Sequence, residues 1–315
     1  MPNLRSHILL AEEIYNNIQD PELKSLIRSH FPYYYLGSIA PDIFYYNLFL
    51  PVKLPQLGDL LHDFPSPHTR SIIKQMLDRL KGSPRPDKGS AAFCLGFITH
   101  IVVENIFHPM VYYFTGNYND QDPHSRRQNI ASHRQLETYL DLFMLRHFHR
   151  KVEDIDLGKV IFISPFKRKK VFSFYASALA GISGESAGKI WAGLNFAYPS
   201  LLFLNSLFSR KGAYYFLKLL NLLNHERISP YLQMFYPPGD SPLPILFTAP
   251  FTYLHPVTGT EVKTSMQKLN DEAVAAGADI LTDACRYFHD KGDDSFLGKI
   301  KIMDGEMRYF SSIQF

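Results

Sequence analysis

Helical periodicity dominates this chain. Residues 4–18 place Leu4, Ile8, Leu9, Ala11, Ile14 and Tyr15 on one broad stripe, with Asn3 as the N-cap. Asp20-Pro21-Glu22 reads as the start of a second helix, because proline suits the first helical position, where an N–H has no partner anyway. Pro41, Pro51, Pro55, Pro65 and Pro67 punctuate residues 36–67, so irregular chain with short helices is expected there. A helix near 69–81 ends at Lys81-Gly82. Next comes a long apolar helix, capped by Ser90 and closed by Pro109, since an interior proline removes a backbone donor. A polar loop from Gly116 to Arg127 leads to a helix running to about His147. Later helices are expected at 170–181, 185–196, 200–208, 211–224 and 265–290. Residues 251–264 alternate and turn, which suggests a small hairpin or an extended loop. The expected fold class is all-α, with no internal repeat.

Composition narrows the class. The 315 residues suffice for a substantial core, and 46% apolar with 20% charged residues is ordinary for a globular protein. A formal charge of +3 is too small to argue for nucleic acid or an acidic membrane by itself. Cys94 and Cys285 give no disulfide framework, and Cys94 in its apolar run reads as a core filler. Residues 1–20 are amphipathic rather than continuously apolar, so no secretory leader is expected and a cytoplasmic location is. The longest apolar stretches, around 91–103 and 197–208, are expected to be too short or too interrupted to span a bilayer. The 25 phenylalanines and 19 tyrosines are expected mainly in the core.

The chemistry lies in the spacing. His100, Glu104 and His108 fall four apart, and His133 with Glu137 repeats the interval. Four residues is just over one helical turn, so each set projects from one side of a helix. His100 and Glu104 stand among Phe97, Ile98, Ile101, Val102 and Val103, where ionisable groups are costly unless paired or bound to metal. A buried ion pair would account for His100 and Glu104, but not for His108 or the second pair. Imidazole and carboxylate together suit a divalent ion such as zinc.

In this light the ordered segments resemble zinc-dependent phospholipase C. Met1 to Leu10 is similar to that family's first metal-bearing helix, and Leu36-Gly37-Ser38-Ile39-Ala40-Pro41-Asp42 to its Asp-bearing loop. Leu60-Leu61-His62-Asp63 resembles its next His segment, Gly96 through His108-Pro109 its central helix, and Ser132-His133-Arg134-Gln135-Leu136-Glu137 the helix that closes the site. The likeness runs over roughly residues 1–145. It implies a multi-helix metal-binding domain at 1–150, with a helical extension at 151–315 packed on the same core. It further implies two or three zinc ions. Asp42, His62, His100 and Glu104 would hold one, and His108, His133 and Glu137 a second. Glu104 would bridge to a third, completed by His7 and the chain's N-terminal amine and carbonyl. The chain departs from secreted members in opening at Met1 rather than a processed Trp, and in carrying Glu104 for Asp with His108 four residues on instead of six. Two tight ions and one weak or absent one are expected.

The implied activity is phosphodiester hydrolysis by a metal-activated water, with Asp42 orienting or deprotonating it because it sits on a loop. The substrate would be a phospholipid or a small phosphodiester, with membrane-surface contact open and nucleic acid not expected. Two alternatives stand: a single-strand nuclease-like enzyme, for which aromatics are plentiful but a basic track is not visible, and a metal-stabilised scaffold without catalysis. Lesser candidates are Asp59 and Asp63 as orienting partners of His62 or solvated carboxylates, and Asp141 as a neighbour of a ligating His or a surface charge. His68 is expected in a loop. His147 and His149 are expected to be structural, and the run Phe166 to Lys170 a solvated basic face.

Overall fold

The computed structural model describes residues 4–47, 55–62, 67–224, 227–239, 241–289, 291–300 and 307–309. The first two helices, α1 (Leu4–Asn17) and α2 (Pro21–Arg28), are joined at Asp20, whose carboxylate accepts from the backbone N–H groups of Glu22 and Leu23. Next come α3 (Phe31–Ser38), a 3-10 helix at Pro41–Tyr46, α4 (Pro55–His62) and α5 (Pro67–Lys81). The long helix α6 (Lys88–Thr115) is followed by α7 (Pro123–His147). After short α8 (Leu157–Val160) come α9 (Pro165–Ser183), α10 (Ala187–Phe208), α11 (Lys211–Leu223) and α12 (Ser229–Leu232). A hairpin, β1 (Phe251–Leu254) against β2 (Glu261–Thr264), leads into α13 (Met266–Phe288). Mainly helical architecture and the hairpin agree with the periodicity of the sequence.

Four boundaries differ from expectation, each for a physical reason. The α6 cap is Asp87, not Ser90, because the Asp87 carboxylate accepts from the Ser90 N–H at 2.9 Å. Helix α7 opens at Pro123, inside the expected loop, under the Asp122 cap. Pro109 and Pro199 lie inside α6 and α10 rather than ending them. Met110, Val111, Tyr112 and Phe114 beyond Pro109 are all buried, so packing outweighs the lost backbone bond. Because α6 continues through Pro109, it is long and apolar enough to cross a membrane by length and composition, contrary to the sequence expectation. Its apolar window is 89% buried inside the fold, which makes it the central core helix.

Around α6 pack α3, α13, α1, α5 and α7. The α3–α6 contact is the closest, and glycine permits it. A Cβ on Gly37 would overlap the Phe93 carbonyl, and one on Gly96 the Tyr34 carbonyl. This crossing brings the Ser38 backbone against His100. The second half reaches the same core through α13, which packs on α1 and α6, and through α10, which packs on α9 and the 3-10 helix bearing Asp42.

Candidate metal centre

Eight side chains from five segments meet in the interior: His7 on α1, Asp42 on the 3-10 helix, His62 at the end of α4, His100, Glu104 and His108 on α6, and His133 with Glu137 on α7. All are buried. Their ligand atoms fall into three groups, each within 4.8 Å: His7, Asp42 and His100; His62, His100 and Glu104; His108, His133 and Glu137. Asp42 Oδ1 lies 3.1 Å from His62 Nε2. Glu104 stands at the centre, with Oε1 3.0 Å from His7 Nε2 and 3.9 Å from His100 Nε2, while Oε2 contacts His108 Nδ1. His108 Nε2 is in turn 3.7 Å from Glu137 Oε1, which lies 3.1 Å from His133 Nε2. His108 therefore joins the two halves of the cluster. Asp42 sits on a helical turn rather than the expected loop. The N-terminal amine and carbonyl, Asn3 as a cap, and Asp63 lie outside the described residues.

Backbone acceptors set the ring orientations. His100 Nδ1 donates to the Ser38 carbonyl at 2.9 Å, and His62 Nδ1 to the Gly58 carbonyl at 2.8 Å. His133 Nδ1 is 3.3 Å from Thr115 Oγ1, whose own proton goes to the Val111 carbonyl. A carbonyl can only accept, so each Nδ1 of His62 and His100 carries hydrogen and each Nε2 faces the cluster. Asp59 is not the orienting partner of His62; it accepts from the Tyr45 hydroxyl at 3.2 Å instead.

The charge states follow from burial and proximity. Burial and the neighbouring His7 push His100 down to about 3, so it stays neutral, the form that ligates a metal. Burial would raise Asp42, but His100 and His62 overcome it and hold the carboxyl at about 2. Glu104 is held well below the carboxylate range by His108 and His7, again against burial. Burial would lower His7 and His62, yet Glu104 and Asp42 raise them.

The donor set fits a cation. His62 Nε2 and His100 Nε2 face each other at 3.1 Å with both Nδ1 protons committed elsewhere, so a proton or a metal ion must sit between these lone pairs. Asp42 Oδ2 and Glu137 Oε2 are buried without a hydrogen-bond partner among the described residues, which costs roughly 1–3 kcal/mol each unless an ion takes them. Nitrogen and carboxylate oxygen at these spacings are zinc ligands by type.

Asp141, neither a surface charge nor a partner of a ligating His, accepts from Ser6 N at 2.7 Å and Ser6 Oγ at 2.6 Å, and from the Tyr236 hydroxyl. Arg5 donates to that hydroxyl at 2.7 Å and to Ser209 Oγ at 3.0 Å. This network fixes α1, and hence His7, against α7 and the second half. Sequence reasoning missed Tyr236, since a lone distant tyrosine carries no spacing signal. His68 belongs to α5 rather than a loop and is exposed. His147 stacks on Phe143. In the basic run Lys170 pairs with Asp87 at 2.7 Å, while Arg168 and Lys169 cover the rings of Tyr198 and Trp191.

His62 and His133 also line a cavity of about 500 Å³. One side is aromatic, with Tyr45, Tyr112 and Tyr118; the other is apolar, with Leu204, Leu207, Phe208, Leu217, Met234 and Phe235 from the second half. Arg134 is the one Lys or Arg among its described lining residues, and its guanidinium lies over the Tyr231 ring at 5.5 Å.

A helical body with buried histidine and carboxylate groups opening on such a cavity is the architecture of a candidate metal centre. The chain belongs to the Zinc dependent phospholipase C family, which it matches over residues 6–182. No curated protein and no solved structure matches it.

Proposed function

We propose that this chain is a zinc-dependent phosphodiester hydrolase that acts on a phospholipid or a small phosphodiester. The observation that carries the reading is the junction of the buried ligand groups with the cavity through His62 and His133. Asp42, His62, His100 and Glu104 would hold one ion, and His108, His133 and Glu137 a second. His7 and Glu104 would contribute to a third. Zinc supplies Lewis acidity toward phosphoryl oxygens and makes water acidic.

The chain's own groups do the rest. Asp42, held ionised, accepts a hydrogen bond from the attacking water and orients it. Arg134, the cavity's cation, takes an anionic phosphate oxygen. Tyr45, Tyr112 and Tyr118 shape the aromatic side, and the leucines and phenylalanine of α10 accept the apolar part of a lipid. A single guanidinium makes no basic track, which weighs against a nuclease.

The test is zinc per chain by native mass spectrometry, followed by hydrolysis of a chromogenic choline phosphodiester with and without chelator. Turnover that chelation abolishes and zinc restores is expected. Bound zinc with no turnover on lipid, choline ester or single-stranded nucleic acid would leave a scaffold role in its place.

A further inference from the structure

Helix α11 is inverted. Among its residues only Asn221 is buried. Tyr215, Leu219 and Leu222 follow at helical spacing and are 58%, 55% and 65% exposed, and Phe216 and Leu223 beside them are 61% and 70% exposed. A contiguous apolar face turned to solvent on a thirteen-residue helix is unfavourable unless something covers it. The charges around it have one sign. From Ser186 to His225 the sequence has no Asp or Glu, while Arg210, Lys211 and Lys218 lie on or beside α11. On α11 itself Lys211 and Lys218 are exposed, as is Arg210 just before it. Apolar and aromatic side chains flanked by lysine and arginine are what an interfacial helix presents to headgroups and acyl chains. The same helix also borders the cavity. Leu217, on the opposite side of α11, lines it, and Tyr231, 59% exposed, stands at its rim.

We propose that the outward face of α11 docks on an anionic phospholipid bilayer. The surface stands on its own residues; only its purpose, delivering bilayer lipid to the cavity, rests on the hydrolase reading. Lysine and arginine favour anionic headgroups, and the leucines and aromatics enter the acyl boundary.

The experiment is co-sedimentation of the full-length zinc-loaded protein with vesicles of phosphatidylcholine alone or mixed with phosphatidylserine. Binding to the mixed vesicles, weakened by salt, is expected. The double variant Leu219→Glu/Leu223→Glu should lose about tenfold or more in partitioning, and Lys211→Glu/Lys218→Glu about fivefold per charge. Both should keep the parent's circular dichroism and its rate on a soluble chromogenic phosphodiester. Leu223→Ser serves as a milder variant should the double substitution fold poorly. Equal sedimentation of parent and variants, or none with either vesicle, overturns the proposal. So does a parent that forms a dimer dispersed by Leu219→Glu/Leu223→Glu without binding vesicles, because the face would then be a self-association surface. A protein that binds mixed vesicles through this face but hydrolyses no phosphodiester overturns the hydrolase reading and upholds the docking surface.

Discussion

The Ser38 carbonyl oxygen lies 2.9 Å from Nδ1 of His100, across a helix crossing where neither Gly37 nor Gly96 has room for a side chain. The contact fixes which imidazole nitrogen faces the cluster. Gly96→Ala should therefore force α3 and α6 apart, costing about 2–3 kcal/mol and lowering zinc content with it. Thermal unfolding and metal analysis check this; an unchanged Tm would refute the steric argument.

His100→Ala and His133→Ala should each reduce bound zinc by native mass spectrometry and lower Tm. Each leaves a carboxylate, Glu104 or Glu137, buried with one partner fewer. Retention of the parent's zinc and Tm by both variants would contradict the ligand assignment.

Zinc binding should strengthen with pH. In the metal-free protein His7 and His62 are raised above 6.5, against burial, by Glu104 and Asp42. A raised group stabilises the fold below its unfolded value and loses that contribution as pH climbs through its folded value. Zinc must displace those protons, so the increase in Tm on adding zinc should grow from about pH 6 to about pH 8. Titration calorimetry in buffers of different ionisation enthalpy should show proton release. An increment that shrinks over this range would be the contrary result.

Arg134→Ala should retain zinc yet lose about tenfold to a hundredfold in kcat/KM on a phosphodiester, the worth of a charged hydrogen bond. Steady-state kinetics with parallel metal analysis separates this from a loss of the centre. Unaltered kinetics would remove Arg134 from substrate binding.

Tyr236→Phe should destabilise by about 1–3 kcal/mol, since it leaves Asp141 and Arg5 each a partner short in the interior. Denaturant unfolding measures it, and a change within error would show that the network reorganises.

The candidate metal cluster is legible because its letters are chemically specific: histidine and glutamate four apart in an apolar helix have few other uses. What orients them was not legible. Ser38 and Gly58 act through backbone carbonyls, which any residue possesses. Pro109 misled as a helix end because its cost is local while the packing of Met110 and Val111 that outweighs it is tertiary. The phenylalanines and tyrosines are expected mainly in the core, yet Tyr215 and Phe216 are exposed. Periodicity reveals that a helix has an apolar side, but not which way that side is turned.

Tyr236 lies well beyond residue 182, where the family match ends, yet its hydroxyl touches both Arg5 and Asp141 beside the first ligand helix. A fragment ending at residue 182 would leave the Arg5 guanidinium and the Asp141 carboxylate without the phenol that joins them, and His7 would inherit the slack. The stretch beyond the match thus hands one hydroxyl group back to the beginning of the chain.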